Sequence, residues 1–334
     1  MSHVYINAVK QISAQQPLVD DWFSQPVFYS EPYQRAIEPD YKLYFTPNES
    51  RRLGRILKRA LLVSRQTMLE SGVLQPDAII TGTGLGCIES TEIFLDKLVR
   101  EGEEMLNPTH FMQSTHNTIS SLVAIDAKCH AYNSTYAHKG ISFECALLDA
   151  FMQLKRRGDA CIAPTTALVG AHDEMTPAYF AILKKAGYLG RPHQTFAGEI
   201  AVAMMLSTQK SEKTLCEIEA MEKIYGEGVG AGADVDYIMV GTNGVEENDR
   251  VYLENCAKYF PNVPLLHYKH IFGEGYTVPA LGVYAAAICL QKGEIPEHLF
   301  QFPNPKNQTP KSFSKILCYN QFEGKNHTFI LLSK

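Results

Sequence analysis

No stretch of this 334-residue chain reaches the ~18 consecutive apolar residues that a membrane-spanning helix requires. The nearest candidate, Pro279–Leu290, is short and ends at Gln291-Lys292-Gly293. The N-terminal MSHVYINAVKQ has no basic segment followed by an apolar run, so no targeting leader is expected. Low-complexity tracts are absent. A 45% hydrophobic and 20% charged composition is the reverse of a disordered one. Basic residues are not in excess: 31 Lys and Arg against 36 Asp and Glu give a net charge of −5, which leaves no electrostatic footprint for nucleic acid. The eight cysteines stand at 87, 129, 145, 161, 216, 256, 289 and 318, with no CxxC pair and no regular spacing. That argues against a zinc site or a disulfide framework and suits a reduced, cytoplasmic compartment. The open question is whether any of the eight is a nucleophile.

What is present reads as α/β. Val4–Val9 is the first expected strand, and residues 14–48 read as irregular because Pro17, Pro26, Pro32, Pro39 and Pro47 break longer elements. A helix is expected from Thr46-Pro47-Asn48-Glu49 onward, with Leu53, Ile56, Leu57, Ala60, Leu61 and Met68 at helical spacing. Asp77–Thr81 reads as a buried strand, Ser114–Ile125 and Ser142–Arg157 as helices, and Cys161–Val169 as the next strand. Phe143, Leu147, Phe151 and Leu154 form one apolar stripe on the second helix.

An internal echo organises these elements. Asp77-Ala78-Ile79-Ile80-Thr81-Gly82-Thr83 recurs as Asp236-Tyr237-Ile238-Met239-Val240-Gly241-Thr242, with four of seven positions identical. Ala150…Arg157-Gly158-Asp159 is echoed by Ala285…Lys292-Gly293-Glu294 in the same order. The pair suggests a duplicated βαβ-type unit, against the alternative of one doubly wound sheet without duplication.

Several motifs, taken in order, give the chain a resemblance over roughly residues 50–334. Gly82-Thr83-Gly84-Leu85-Gly86 forms an early glycine turn. Asn107-Pro108 leads to Asn117. Ala146-Leu147-Leu148-Asp149-Ala150 and Arg157-Gly158-Asp159-Ala160 follow. Next come Gly170-Ala171-His172-Asp173-Glu174 with Thr176-Pro177, and Gly198-Glu199-Ile200-Ala201. Val240-Gly241-Thr242 precedes Asp249; Lys269…Gly273 and Phe322-Glu323-Gly324-Lys325-Asn326 close the series. This order resembles the thiolase-fold ketosynthases, the condensing enzymes of fatty-acid and polyketide synthesis. The resemblance implies a thiolase-like α/β fold of duplicated βαβαβ halves in a layered αβαβα arrangement. The expected halves are 1–205, with the irregular 14–48 and the nucleophile turn near 140, and 206–334.

In that family a cysteine at a helix N-terminus takes the acyl chain, because the helix end favours the thiolate. Two histidines then stabilise the negative charge that develops as a malonyl thioester decarboxylates. A lysine supports them. Carried onto this sequence, the nucleophile position falls at Gly140, the first histidine at Val240 and the second at Glu274, while Lys269 is retained. Glycine offers nothing to acylate, valine donates no hydrogen bond, and a carboxylate repels an enolate. Displaced nucleophiles would be Cys145, about one and a half turns into the helix, or Cys129 beside His130; for either, inert packing is the default. Cys87 follows the glycine turn with no family role. Thr242 is a possible contact for the pantetheine arm; the Glu expected three residues after Asp249 is Tyr252.

A scaffold without its reacting side chains resembles the family's non-catalytic partners, the chain length factors of type II polyketide, aryl polyene or flexirubin-like systems. The resemblance implies pairing with an active ketosynthase as a pseudo-two-fold dimer, an acyl carrier protein presenting phosphopantetheine, and no bound cofactor or metal. Asn107–Ile125 is the candidate interface. Phe111, Met112, Asn117, Ile119 and Leu122 are tunnel or interface candidates, with core burial as the alternative, and His138 belongs with them or with a plain surface turn. Two other readings stay open: an active 3-oxoacyl carrier-protein synthase using a displaced cysteine, and a homodimeric acyl-binding scaffold.

Overall fold

A computed structural model describes residues 3–104, 106–156, 164–226, 234–300 and 312–334. The chain begins with β1 (Tyr5–Ile12), and β2 (Tyr33–Gln34) lies inside the irregular segment expected at 14–48. That segment is fastened by buried polar groups. The amide of Gln15 bridges the Val27 and Ile271 carbonyls at 2.8 Å each, and Trp22 Nε1 donates to the Tyr284 hydroxyl at 2.8 Å. Buried Arg59 reaches Glu38 and, at 2.8 Å, Glu199, whose Oε2 also accepts from the Ala36 amide.

The helix expected from Pro47 is two helices. α1 (Pro47–Arg51) opens with a capping box between Thr46 and Glu49. α2 (Arg55–Ser71) starts afresh because Gly54 is extended, at φ −62° and ψ 165°, and caps the new helix. Then follow β3 (Ala78–Gly82), α3 (Ile88–Glu101), α4 (Pro108–Gln113), α5 (Thr118–Asp126), β4 (Tyr132–Tyr136), α6 (Ser142–Lys155) and β5 (Thr166–Asp173). The helix expected over Ser114–Ile125 thus starts at Thr118. The strand expected at Cys161 begins at Thr166; residues 157–163 lie outside the described residues. The half closes with α7 (Pro177–Lys185), β6 (Ala197–Gly198), which pairs β2, and β7 (Ile200–Ser207).

The remaining elements are β8 (Cys216–Tyr225), β9 (Tyr237–Val240), α8 (Glu246–Tyr259), β10 (Leu265–His267), α9 (Lys269–Phe272), α10 (Pro279–Lys292), β11 (Lys315–Phe322) and β12 (Asn326–Ser333). The main sheet runs β10-β9-β11-β12-β8-β1-β7-β5-β3-β4. Counted within each set of five, both halves have the order third, second, fourth, fifth, first. Both have the same hand of pairing: parallel about the second strand, antiparallel at the fifth. The sets meet where Tyr5 and Ile6 pair antiparallel with Glu217 and Cys216. This is the duplication that the echo suggested. The two echoed aspartates do equivalent work: Asp77 Oδ2 accepts from the Thr165 and Thr166 amides, and Asp236 Oδ2 from those of Ser314 and Lys315. Each carboxylate therefore ties the start of its half's second strand to that of its fourth.

The layers follow from strand alternation. Ile80, Val169 and Met204 face inward onto α6 and α10, whereas Ile79, Leu168 and Met205 face outward onto α2 and α5. In the second half Ile238, Val240 and Leu317 pack outward against Tyr252 and Cys256 of α8. α10 has no polar face; every residue from Pro279 to Leu290 is buried. Its small residues, Ala285, Ala286 and Ala287, allow the helix to pack at close range against the strands of the main sheet and α6.

Candidate functional site

Loops that follow the parallel strands of both halves converge on one cavity of about 280 Å³. The ligand position expected of an α/β sheet is outside the carboxyl ends of its strands. After β3 the glycine turn is held by a single buried carboxyl, Asp173 at the end of β5. Its Oδ1 accepts from Thr83 Oγ1 (2.9 Å), Gly84 N (2.9 Å) and Leu85 N (2.8 Å). Its Oδ2 accepts from Thr277 Oγ1 at 2.8 Å, which joins the two halves. Burial pushes this carboxyl above its ordinary range and the four donors pull it back. Gly82 is obligatory here: a β-carbon would sit 2.6 Å from the Ser142 and Phe143 backbone at the start of α6.

After β4 the chain makes one 3-10 turn, Lys139–Ile141, and enters α6. Gly140 is on the cavity wall. A β-carbon on it would lie 2.2 Å from Cδ2 of Phe322, so the Phe322 ring fills the space above this helix start. On another wall Lys269 Nζ grips both oxygens of Glu274, at 3.0 and 2.9 Å, and Asn243 Nδ2 donates to Glu274 at 2.6 Å. Asn243 is placed in turn by Asp249, in the first turn of α8, which accepts from the Asn243 and Gly244 amides. The Lys269–Glu274 pair is net neutral and nearly buried, so the wall carries hydrogen bonds rather than free charge. Leu183 and Leu189 give an apolar side, and Arg191 paired with Glu247 at 3.0 Å lies by the rim.

A family model described as "Beta-ketoacyl synthase, N-terminal domain" matches residues 36–233. The chain belongs to the beta-ketoacyl synthase family. Solved structures agree in fold. The ishigamide ketosynthase/chain length factor superposes with a TM-score of 0.78 at 14% identity, covering 100% of this chain and 99% of that one. The ketosynthase ApeO in complex with its chain length factor ApeC, from Xenorhabdus doucetiae, gives 0.78 at 15%, covering 99% and 98%. AntDE:AntF, a type II PKS acyl-carrier protein in complex with its ketosynthase, gives 0.76 at 11%, covering 100% and 99%. No curated protein sequence matches the chain. No described helix is long and apolar enough to cross a membrane, and no group of His, Cys, Asp or Glu among the described residues could hold a metal ion.

The positions matched to the ketosynthase triad separate in space. Gly140 and Glu274 line the cavity with Lys269, whereas Val240 is wholly buried at the end of β9 against α8 and does not line it. Thr242 is 7% exposed, lies off the cavity lining, and spends its hydroxyl on His267 Nδ1 at 2.6 Å. Neither displaced cysteine reaches the cavity. Cys145 Sγ, near the start of α6, accepts from Lys223 Nζ at 2.9 Å, and Cys129 Sγ donates to the Pro76 carbonyl at 3.1 Å. Cys87 is buried, and burial and the neighbouring Glu174 carboxyl push its thiol up to about 12.

Phe111 and Met112 are exposed on α4, with the Phe111 ring 5.3 Å from Phe94. Asn117 is exposed at the start of α5, Ile119 is buried among Ile56, Leu57 and Ala60, and Leu122 is half-buried. His138 is exposed just before the Gly140 turn. Sequence reasoning missed Asn243 and Asn320 as cavity residues, and missed the filling role of Phe322. Glu144 was also missed, although a charged residue between Phe143 and Leu147 on a buried helix was a signal available in the sequence.

Proposed function

We propose that this chain is a ketosynthase-like subunit that does not form an acyl-enzyme, and that it pairs with an active beta-ketoacyl synthase to shape the acyl tunnel. The observation that carries the reading is the cavity floor. At the helix start where a ketosynthase holds its thiol there is Gly140, covered by Phe322, and no cysteine among the described residues lines the cavity. Glu274, bound to Lys269 and Asn243, puts a carboxylate where an enolate would need a donor.

Pairing is supported by β4. Among the described residues it bonds to β3 alone, which leaves its other edge as a template for a further strand. Beside it is an open groove of about 400 Å³ between α5 and β4, lined by Asn117, Ser121, Ala124, Ile125 and Asn133–Thr135; Ile125 is 73% exposed. The acyl carrier protein would deliver its phosphopantetheine thioester to the partner's thiol rather than to this chain. The halves 1–205 and 206–334 would act as one rigid unit in a cytoplasmic complex.

Co-expression with a ketosynthase that retains Cys-His-His, followed by mass measurement of the intact complex, tests this. A one-to-one heterodimer, with acyl label from a carrier thioester found only on the partner, is the expected result. A stable homodimer that ignores the ketosynthase supports the scaffold reading instead. The contact between Lys223 and Cys145 favours a second reading, in which a displaced cysteine is the nucleophile. It requires that this chain alone condense acyl and malonyl carrier thioesters and lose that activity on Cys145→Ala.

A further inference from the structure

Glu144 is a fully buried carboxyl on α6 that the proposed function does not use. Its Oε1 accepts from Asn320 Nδ2, and its Oε2 has no partner. The two ammonium groups that act on it are engaged elsewhere: Lys223 with Cys145 Sγ at 2.9 Å, and Lys269 with Glu274. A carboxylate in this position would be a buried and uncompensated charge, one of the costliest arrangements in a protein interior.

Two further features surround it. Asn320 connects Glu144 to the cavity wall. Its amide also reaches the Gly140 carbonyl at 3.4 Å, its Oδ1 accepts from the Tyr252 hydroxyl at 2.9 Å, and that hydroxyl accepts from the Gln321 amide at 3.0 Å. Gly140, Asn320 and Gln321 all line the cavity. Against Glu144 there is also a void of about 10 Å³, bordered by Tyr268, Tyr319 and Asn320, about the space of one water.

We propose that Glu144 is a neutral acid in the folded chain, sharing its proton with a water in this void, and that losing the proton loosens the Asn320–Gly140 wall of the cavity. Burial raises the Glu144 carboxyl to about 7, against the pull of its own backbone amide, the Asn320 donor, Lys223 and Lys269. The groups that face it are few. The start of α9 presents its N-cap Tyr268 and Lys269, with Glu274 just beyond; α8 presents Tyr252; β8 presents Lys223; β11 presents Cys318 and Tyr319. Burial raises the three tyrosines and Cys318, so they stay neutral in this range. From β9, α10 and β12 come only Met239, Pro279, Gly282, Val283 and Ile330. The inference concerns a proton-linked device in the wall and does not depend on the pairing reading.

The test is carbon-13 NMR of the full chain with labelled glutamate carboxyls, titrated from about pH 5 to about pH 9, with amide hydrogen exchange of the Gly140 and Gln321 segments alongside. Glu144→Gln should delete one carboxyl that titrates near neutrality, which also separates it from Glu174, raised to about 7 by its own burial. The exchange rate of wild type relative to Glu144→Gln should rise several-fold across that titration. A Glu144 signal at the ordinary glutamate position, or an exchange ratio constant with pH, overturns the proposal. If Glu144→Gln does not fold, Asn320→Ala removes the side-chain donor and must move the titration to higher pH; a titration that stays in place also overturns it.

Discussion

A β-carbon on Gly140 would stand 2.2 Å from Phe322, so Gly140→Cys must displace an aromatic ring that also packs edge-on to Tyr276. Placing a thiol at Gly140, the position the resemblance assigns to the nucleophile, is therefore an overpacking mutation, expected to cost about 1–3 kcal/mol. Denaturant unfolding should show that loss for Gly140→Cys and recover most of it in the double variant with Phe322→Ala. Additive losses in the double variant would mean that the ring is not the obstruction. Glu274 presents the complementary case. Its identity was plain in the sequence and the resemblance gave it a position, but its partners were not all visible. Lys269, five residues away, was readable as a pair; Asn243, from a different loop, was not.

Among elements, the echo at Asp77 and Asp236 has a physical reason that a comparison of letters does not supply. Each carboxylate accepts two amides of the neighbouring strand start, 88 and 89 residues on for Asp77 and 78 and 79 for Asp236. Burial pushes the Asp77 carboxyl up, but the Thr165 and Thr166 donors outweigh it and leave it below the ordinary aspartate value. A depressed folded value contributes stability that is present above the unfolded value, near ~3.9, and is lost as pH falls through the folded one. Asp77→Asn should cost about 1 kcal/mol at neutral pH, at the low end for a charged acceptor because the group is exposed and screened. Thermal unfolding should show the gap between wild type and variant closing below about pH 4. A gap independent of pH would make the bond one of shape rather than charge.

At the scale of the whole molecule the buried titratable groups oppose one another. Burial lowers five histidines: His172 to about 3, His267 and His298 to about 4, with His270 and His327 lowered as well. Burial raises Glu144 and Glu174 to about 7, and raises Asp173. Between roughly pH 4.5 and pH 6.5 the unfolded chain holds protons on the histidines that the folded chain lacks, and the folded chain holds protons on the acids that the unfolded chain lacks. Among the groups shifted furthest, three histidines, His172, His267 and His298, outnumber two acids, Glu144 and Glu174, so stability should rise with pH across that window. His172 has no partner at either ring nitrogen, and His172→Phe should flatten the slope without removing a hydrogen bond. Thermal midpoints measured across the window check both; a falling slope in wild type would show that the acids dominate.

Local chemistry fixed by covalent neighbours was determined by the sequence alone. The glycines of the turn after β3, the capping of α1 and the family's order of motifs all depend on residues close in the chain or on residue type. The expected helix beyond Pro47 went wrong at Gly54, where an extended backbone interrupts a sound apolar period. Only the tertiary structure decided what shares the cavity. Gly140 and Asn320 lie 180 residues apart, and their meeting depends on both halves folding onto α6 and α10. The same packing put Cys145 and Cys129 off the cavity, gave the Thr242 hydroxyl to His267, and sealed Glu144 beneath the wall. Burial and distance arise from the fold as a whole, so no run of neighbouring residues could specify them.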